Sequence, residues 1–479
     1  MFISLRPSFW SVALVASLGL HCGGSEDTDT GTTNPDAGFA DSGVFPDSGV
    51  TPDSGVRPDS GVVPDSGVVP DSGVVPDGGP ADAGDDGNNN FATAVALAID
   101  AQIVTTYAIN PATDKDFYRL EAPADTWLLL TTSATNLDTV VRLYNSAETL
   151  VATNDDVIPR AGTTNSELIY YFPTAGTYYL EVLEYADWAG ETPNGGPTFR
   201  YQVRAATINP DQANNVIEDA EGGNDPASAQ NAEVPNNAGF ILGHFTDNND
   251  ADFYRVPVVG AGRSLAVTLM PAGPMGYGTT AAGRVEITPV ASSSATIARI
   301  DQSTGFSFLQ PPLAAGDYFL SVRHNGGAAT AGEFYVIKVA NNGENPPETN
   351  EPGNDLLSGA APLTLEDDGN GGRQAFVLST MENGGVDYYS LTTLAGEALT
   401  VACVSATAGS GVMGLTAEIR DNTDTVLTMA TEMAPTSNVF INEFAVPGAG
   451  TYYVRLSKAG QLADVSGDWA RCGFFAAMP

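Results

Sequence analysis

Three stretches of this 479-residue chain repeat one pattern of apolar and polar positions. Tyr178, Leu180 and Val182 alternate with Tyr179, Glu181 and Leu183. Tyr318, Leu320 and Val322 alternate with Phe319, Ser321 and Arg323, and Tyr452, Val454 and Leu456 with Tyr453, Arg455 and Ser457. A period of two puts successive side chains on opposite faces, so each stretch predicts a half-buried strand. Leu265, Val267 and Leu269 continue the habit, as do Leu399 and Val401. No long apolar stripe of helical period follows residue 90. Short strands with Gly and Pro between them predict antiparallel sandwiches.

The same landmarks surround each strand in the same order. An acidic residue opens the unit, with Asn-Asn or Asn-Asp three positions on: Asp86 with Asn89-Asn90, Glu221 with Asn224-Asp225, Glu351 with Asn354-Asp355. A strand start follows at Asp114-Lys-Asp116-Phe-Tyr, Asp250-Ala-Asp252-Phe-Tyr and Gly385-Val-Asp387-Tyr-Tyr. Ala-Gly-x-Tyr-aromatic comes next, at 175–179, 315–319 and 449–453, and an aromatic strand closes each copy around Tyr201, Tyr335 and Phe474. Recurring order and spacing identify an internal repeat. The expected domains are residues 85–208, 219–341 and 349–479, each long enough for its own core, joined by Asn-, Pro- and Glu-rich linkers.

The first 84 residues read differently. Arg6 precedes an apolar run from Phe9 to Leu20, too short to span a bilayer, so residues 1–21 read as an export signal. Cys22 follows at once, and the stretch resembles a bacterial lipoprotein signal whose Cys is lipidated. His21 and Gly19 depart from that pattern, and an ordinary cleaved signal with an incidental Cys is the other reading. Residues 22–84 form an acidic stalk in which a hexapeptide, mostly Pro-Asp-Ser-Gly-Val-Val, recurs with Pro at 46, 52, 58, 64, 70 and 76. Such a segment buries too little apolar surface to offset its ordering entropy, and is expected to be disordered and extended. At ~3.1 Å per residue, its repeats reach roughly 100 Å.

Composition narrows the function. Lys and Arg number 19 against 58 Asp and Glu, for a net charge of −39. The three Lys residues (Lys115, Lys338 and Lys458) leave no basic stripe to neutralise phosphates, which argues against nucleic acid. Beyond the signal only His244 and His324 remain, without a His-Glu-x-x-His motif or a nucleophile elbow, so no enzyme is expected. The Gly-rich stretches at 260–262 and 369–372 lack the Lys-Ser/Thr of a phosphate loop.

Residues 85–479 resemble three tandem pre-peptidase C-terminal (PPC) domains, related to the collagen-binding domain of clostridial collagenases. The Asn-Asn/Asp opening, the Asp-x-Asp-Phe-Tyr start and the Ala-Gly-x-Tyr-Tyr strand carry the likeness. It implies a jelly-roll β-sandwich that binds matrix protein or polysaccharide, or helps folding, often with calcium at the opening segment and the Asp-x-Asp turn. Unlike the usual family arrangement, no peptidase precedes the repeats.

Calcium suits these residues, because a hard cation takes six to eight oxygen ligands. The candidate ligands are Asp86, Asn89, Asn90, Asp114 and Asp116 in the first copy and Glu221, Asn224, Asp225, Asp250 and Asp252 in the second. The third offers Glu351, Asn354, Asp355 and Asp387, with Gly385 in place of one carboxylate. Turn-forming Asn and Asp at a domain start are the alternative. Cys403 and Cys472, both in the third copy of an exported chain, form a candidate disulfide, two separate thiols being the alternative.

The expected molecule is therefore all-β: three tandem jelly-roll β-sandwiches after a disordered stalk. It is expected outside the cell, at the outer membrane or cell surface through a lipid on Cys22, or otherwise secreted. Its partner is an extracellular protein or polysaccharide, and its only tie to a membrane is the lipid. A passive surface spacer and a hydrolase with an unrecognised carboxylate site are the competing readings. Paired aromatics such as Tyr170-Tyr171, Tyr178-Tyr179 and Trp188 offer a sugar platform, although alternation assigns half of them to the core.

Overall fold

The structure, a computed structural model, describes residues 87–478 apart from 102–105, 135, 157–163, 209–214, 219–222, 224, 234–238, 248–249, 260–262, 271–272, 279–282, 293–294, 302–306, 325–331, 344–352, 370, 382–384 and 434–437. The signal, Cys22, the stalk, Asp86, Glu221, Asn224 and Glu351 lie outside the described residues. Among those described, no helix is long and apolar enough to cross a membrane.

The chain is all-β, built as three pairs of sheets, each pair closed on one core. In the first sandwich, Val95–Ala96, Asp116–Ala122, Gly176–Glu184, Thr139–Tyr144 and Leu150–Asn154 form one sheet in that spatial order. Tyr107–Ala108, Arg200–Thr207, Thr126–Ala134 and Glu167–Phe172 form the other. Tyr118, Leu120, Val141, Leu143 and Leu180 from one face meet Leu128, Leu130, Leu168, Tyr201 and Val203 from its opposite. The alternating residues of the three Tyr strands thus fill cores, because a period of two delivers every second side chain inward.

The second sandwich repeats the plan. Ala251–Val258, Gly316–His324, Gly283–Pro289 and Ala298–Asp301 run side by side in one sheet, and Gly239–His244, Phe334–Gly343, Arg263–Leu269 and Ser307–Leu309 in the other. In the third, Val386–Thr393, Gly450–Ser457, Thr416–Arg420 and Val426–Thr431 oppose Arg373–Thr380, Trp469–Ala477, Ala398–Val404 and Val439–Ala445. Cys403 and Cys472 stand directly across from each other on neighbouring strands and are joined by a disulfide, with sulfurs 2.01 Å apart.

The linker ahead of the second sandwich is partly built into it. Asn215–Ile217 is a strand running parallel to Gly239–His244, so the sheet begins before the start expected at 219. Phe334–Gly343 likewise ends beyond the expected limit at 341.

The three sandwiches pack into one compact unit. Leu242, Met270, Tyr277, Phe334 and Val336 of the second sandwich belong to the first one's core cluster. The Phe334 ring lies 5.4 Å from Trp127 and 5.2 Å from Tyr170. Thr153, on an edge strand of the first sandwich, donates its backbone N–H to the Gly276 carbonyl at 2.8 Å, and the Tyr277 hydroxyl donates to the Glu167 carbonyl at 3.0 Å. The next junction is made alike. Arg299 N–H reaches the Gly409 carbonyl at 3.0 Å, Gln310 N–H reaches Ala408 at 3.2 Å, and the buried Arg471 Nε donates to the Gln310 carbonyl at 3.0 Å.

Candidate functional site

Each sandwich holds one fully buried aspartate at the start of an equivalent long strand: Asp116, Asp252 and Asp387. A buried carboxyl needs hydrogen-bond donors, since desolvation without them costs several kcal/mol. In the first sandwich the Tyr201 hydroxyl donates to Asp116 and lies 2.6 Å from the Tyr118 hydroxyl. In the second, the Tyr335 hydroxyl donates to Asp252 at 2.8 Å and lies 2.5 Å from the Tyr254 hydroxyl. Burial, followed by the neighbouring Tyr and Asp, holds the Tyr201 and Tyr335 hydroxyls well above their ordinary range.

The third sandwich departs from this. Strand register places Ala470, not Phe474, where Tyr201 and Tyr335 stand, because Thr132↔Val203 and Cys403↔Cys472 are equivalent pairs two residues away. Across from Tyr335 is Gly243, and across from Ala470 is Ser379. The Ser379 hydroxyl donates to Asp387 in place of the tyrosine. A Cβ on Gly243 would sit 2.1 Å from the Tyr335 oxygen, so the glycine makes room for the ring.

Beside Asp252 lies Glu218, which reasoning from the sequence did not select. It follows the strand Asn215–Ile217 and accepts from His244 twice, from the backbone N–H at 2.9 Å and from Nδ1 at 3.1 Å. Burial first, then the Glu218 carboxylate, pushes Asp252 up to about 9. Asp252 therefore holds its proton more tightly than a free carboxyl does. His244 is raised from its ordinary value, chiefly by its hydrogen bond to Glu218.

The other expected ligands are mostly employed in turns. Asp250 accepts from the Thr246 N–H at 2.7 Å and hydroxyl at 2.8 Å, and Asp114 accepts from the Asn110 N–H at 3.0 Å. The first carboxylate of each Asp-x-Asp thus closes the turn ahead of the strand. In the third copy Gly385 takes that place with φ +64°, in the left-handed region that suits glycine. Asn90 and Asp225 cap the next short turn, Asn90 accepting from Ala92 and Thr93 N–H and Asp225 from Ala227 and Ser228. These backbone N–H groups lower the exposed Asp225 carboxyl from its ordinary value.

The third opening is shifted by one relative to the sequence match. Phe117, Phe253 and Tyr388 N–H donate to the carbonyls of Asn88, Gly223 and Asn354. Asn354 is therefore the counterpart of Asn88, and both are buried; Asn89 is exposed. Leu356, at the position of Asn90 and Asp225, provides no side-chain cap.

The groups bonded to Asp116 and Asp252 are oxygens, which fits calcium, and one buried carboxyl oxygen of Asp252 has no hydrogen-bond partner. Among the described residues no group of three or more His, Cys, Asp or Glu side chains converges as a metal cage. Glu218 and Asp252 are brought together, while Asp225 and Asp250 face other partners.

A cleft of about 350 Å³ opens at the junction of the first two sandwiches, next to this cluster. Trp127, Tyr171, Ile217 and Leu242 line it with Asp125, Glu218 and His244. The Trp127 and Tyr171 rings lie 5.0 Å apart, and the Tyr171 hydroxyl donates to Asp125 at 2.9 Å. Burial, and then that bond, pushes Tyr171 up to about 12. Tyr171 thus lines the cleft as part of the junction, while the Trp188 ring lies tilted beside Tyr185, with centroids 5.6 Å apart.

No protein-family model matches the chain, and no curated protein matches it. Among solved structures it is similar to the pre-peptidase C-terminal domain of a Bacillus anthracis collagenase, at 14% identity over 23% of this chain and 93% of that chain, with TM-score 0.18. It is also similar to the CUB1-EGF-CUB2 region of human MASP-1/3, at 8% identity over 49% and 95%, with TM-score 0.16. A third likeness is to the ANXUR2 extracellular domain of Arabidopsis thaliana, at 9% identity over 48% and 82%, with TM-score 0.18. The sandwich fold itself is read from the sheets and cores above.

Proposed function

We propose that this chain is an exported, non-catalytic binding protein whose sandwiches, of the PPC type, hold an extracellular protein or polysaccharide. The cleft between the first two sandwiches carries this reading. Its apolar wall of Trp127, Tyr171 and Leu242 beside the polar Asp125, Glu218 and His244 has the make-up of a ligand site: surface to cover and a few fixed hydrogen-bonding groups. Calcium in the first two sandwiches would be held by the opening segments with Asp116 and with Asp252, where it would neutralise the buried carboxylates. A lipid on Cys22 would tether the stalk to the outer membrane.

A glycan and matrix-protein array probed with the full chain tests the binding reading. The expected result is saturable binding that Trp127→Ala weakens; binding to nothing supports the spacer instead. Cys22→Ala is expected to release the protein into the medium, and retention in the membrane fraction would refute the anchor.

A further inference from the structure

The polar groups lining the cleft between the first two sandwiches are spent as donors and open as acceptors. Thr126, Tyr171 and Thr207 bring hydroxyls to it, and each donates within the protein. Thr126 donates to the Ala124 carbonyl at 3.0 Å, Tyr171 to Asp125 at 2.9 Å and Thr207 to Asp100 at 2.8 Å. Backbone N–H groups along the wall are spent too: Ile208 on the Trp127 carbonyl, Glu218 on Leu242 and His244 on the Glu218 side chain. His244 Nδ1 also meets Glu218, at 3.1 Å, where a carboxylate can only accept.

Carboxylates remain. Asp125 is exposed in the turn between Asp116–Ala122 and Thr126–Ala134 of the first sandwich, and Glu218 lines the same cleft from the second. The charges of both act on the Tyr171 hydroxyl and on His244, whose rings lie 5.5 Å apart. Beside Glu218, the fully buried Asp252 adds a carboxyl oxygen that has no hydrogen-bond partner. Among the described residues, no Lys or Arg lines the cleft.

We propose that the cleft takes a cationic side chain, the ammonium of a Lys or the guanidinium of an Arg, on a basic segment of an extracellular protein. This rests on the cleft being the binding site, and it selects protein over polysaccharide. Lys and Arg are donors only, so they match a lining left with acceptors. Their apolar stems suit the wall of Trp127, Ile217 and Leu242, and their charge suits aromatic rings with carboxylates alongside. A sugar brings hydroxyls that need donors as well as acceptors. An anion would meet Asp125, Glu218 and a chain of net charge −39.

Calorimetric titration of the full chain with hexalysine, chelator present, tests the proposal. One saturable site is expected, weakening as salt rises. Asp125→Asn keeps an acceptor for Tyr171 and suits the φ of +50° at this position, and should weaken binding about tenfold. Glu366→Gln, at an exposed carboxylate of the third sandwich, should leave binding unchanged. Equal weakening by the two variants would mean diffuse attraction to an acidic chain and would overturn the proposal. Hexaglutamate should not bind. A glucosamine hexamer, cationic but without the apolar stem, should bind less tightly than hexalysine, and equal binding would refute the choice of a protein side chain. If Trp127→Ala weakens a partner found on the array while hexalysine does not bind, the cleft stands as a binding site and its cationic ligand is refuted.

Discussion

The second and third sandwiches satisfy the same buried aspartate from opposite strands. In the second, bulk and hydroxyl both come from Tyr335, and the strand across supplies only Gly243. In the third, the bulk is gone at Ala470 and the hydroxyl comes from Ser379 on that other strand. The repeat has kept a hydroxyl on the carboxyl while exchanging the residue that brings it. The two differ again nearby. The third has its strands stapled by Cys403–Cys472, two residues from Ala470, whereas the second has a hydrogen-bonded pair, Glu218–His244, beside Asp252.

The largest effect should come from the staple. The disulfide closes a loop with a sequence separation of 69 residues. In the chain-entropy picture that is worth up to ~4 kcal/mol. Replacing both cysteines by Ser should therefore weaken hydrogen-exchange protection across Ala398–Val404 and Trp469–Ala477. The strands of the first sandwich, which do not contact the bridge, should keep theirs. Equal loss in both would mean that the unit unfolds as one.

Removing the hydroxyl should come next. Tyr335→Phe and Ser379→Ala each leave a buried carboxyl short of a donor, at a cost of about 1–3 kcal/mol. Chemical denaturation checks both. If Ser379→Ala is neutral while Tyr335→Phe is not, the two hydroxyls are not doing the same task.

A pH series separates the two sandwiches further. Asp252 is raised to about 9 in the folded chain, so the folded state holds its proton more tightly than the unfolded state does. That contribution is present below the ordinary carboxyl range and is lost as pH rises toward 9. The raised His244 acts in the same direction, through its own folded value. With chelator present, protection of Gly239–His244 and Ala251–Val258 should fall between pH 6 and 9, and Asp252→Asn should flatten that fall. A rise over the same range would contradict the Glu218–Asp252 pairing.

Calcium should have the smallest effect. With dissociation constants of about 0.1–1 mM, roughly 2 mM calcium stabilises a site by ~0.6–1.8 kcal/mol. Melting with calcium and with chelator should show a larger gain in the second sandwich than in the third. Asp252→Ala should remove the second's gain, and identical curves would leave the Asn-rich openings as turns.

Most of the fold was legible, because a period of two needs only the order of residues. Tyr178-Leu180-Val182 and its two copies announce strands that the structure places at Gly176–Glu184, Gly316–His324 and Gly450–Ser457. The buried Asp116, Asp252 and Asp387 were legible as one column of the repeat. What sequence spacing could not give was pairing across strands. Ser379 and Ala470 are far apart in the chain, and only register shows that they exchange roles with Gly243 and Tyr335. Glu218 was hidden in a segment that reads as linker. The junction did leave a signal: Phe334-Tyr-Val-Ile337 is apolar on both faces, as a strand buried on both sides must be. Tyr335 and Ile337 fill the second core, while Phe334 and Val336 serve the first.

The exchange itself can be measured by a double-mutant cycle on Gly243→Ser and Tyr335→Ala, which gives the second sandwich the third's pair of residues. Alone, Gly243→Ser drives a side chain into the Tyr335 ring, and Tyr335→Ala strips Asp252 of its hydroxyl and leaves a cavity. Together the clash disappears and the serine can reach the carboxyl. The double variant should be more stable than the sum of the single losses by ~1–3 kcal/mol. Losses that simply add, to within about 0.5 kcal/mol, would contradict the claim that the two sandwiches meet one requirement from opposite strands.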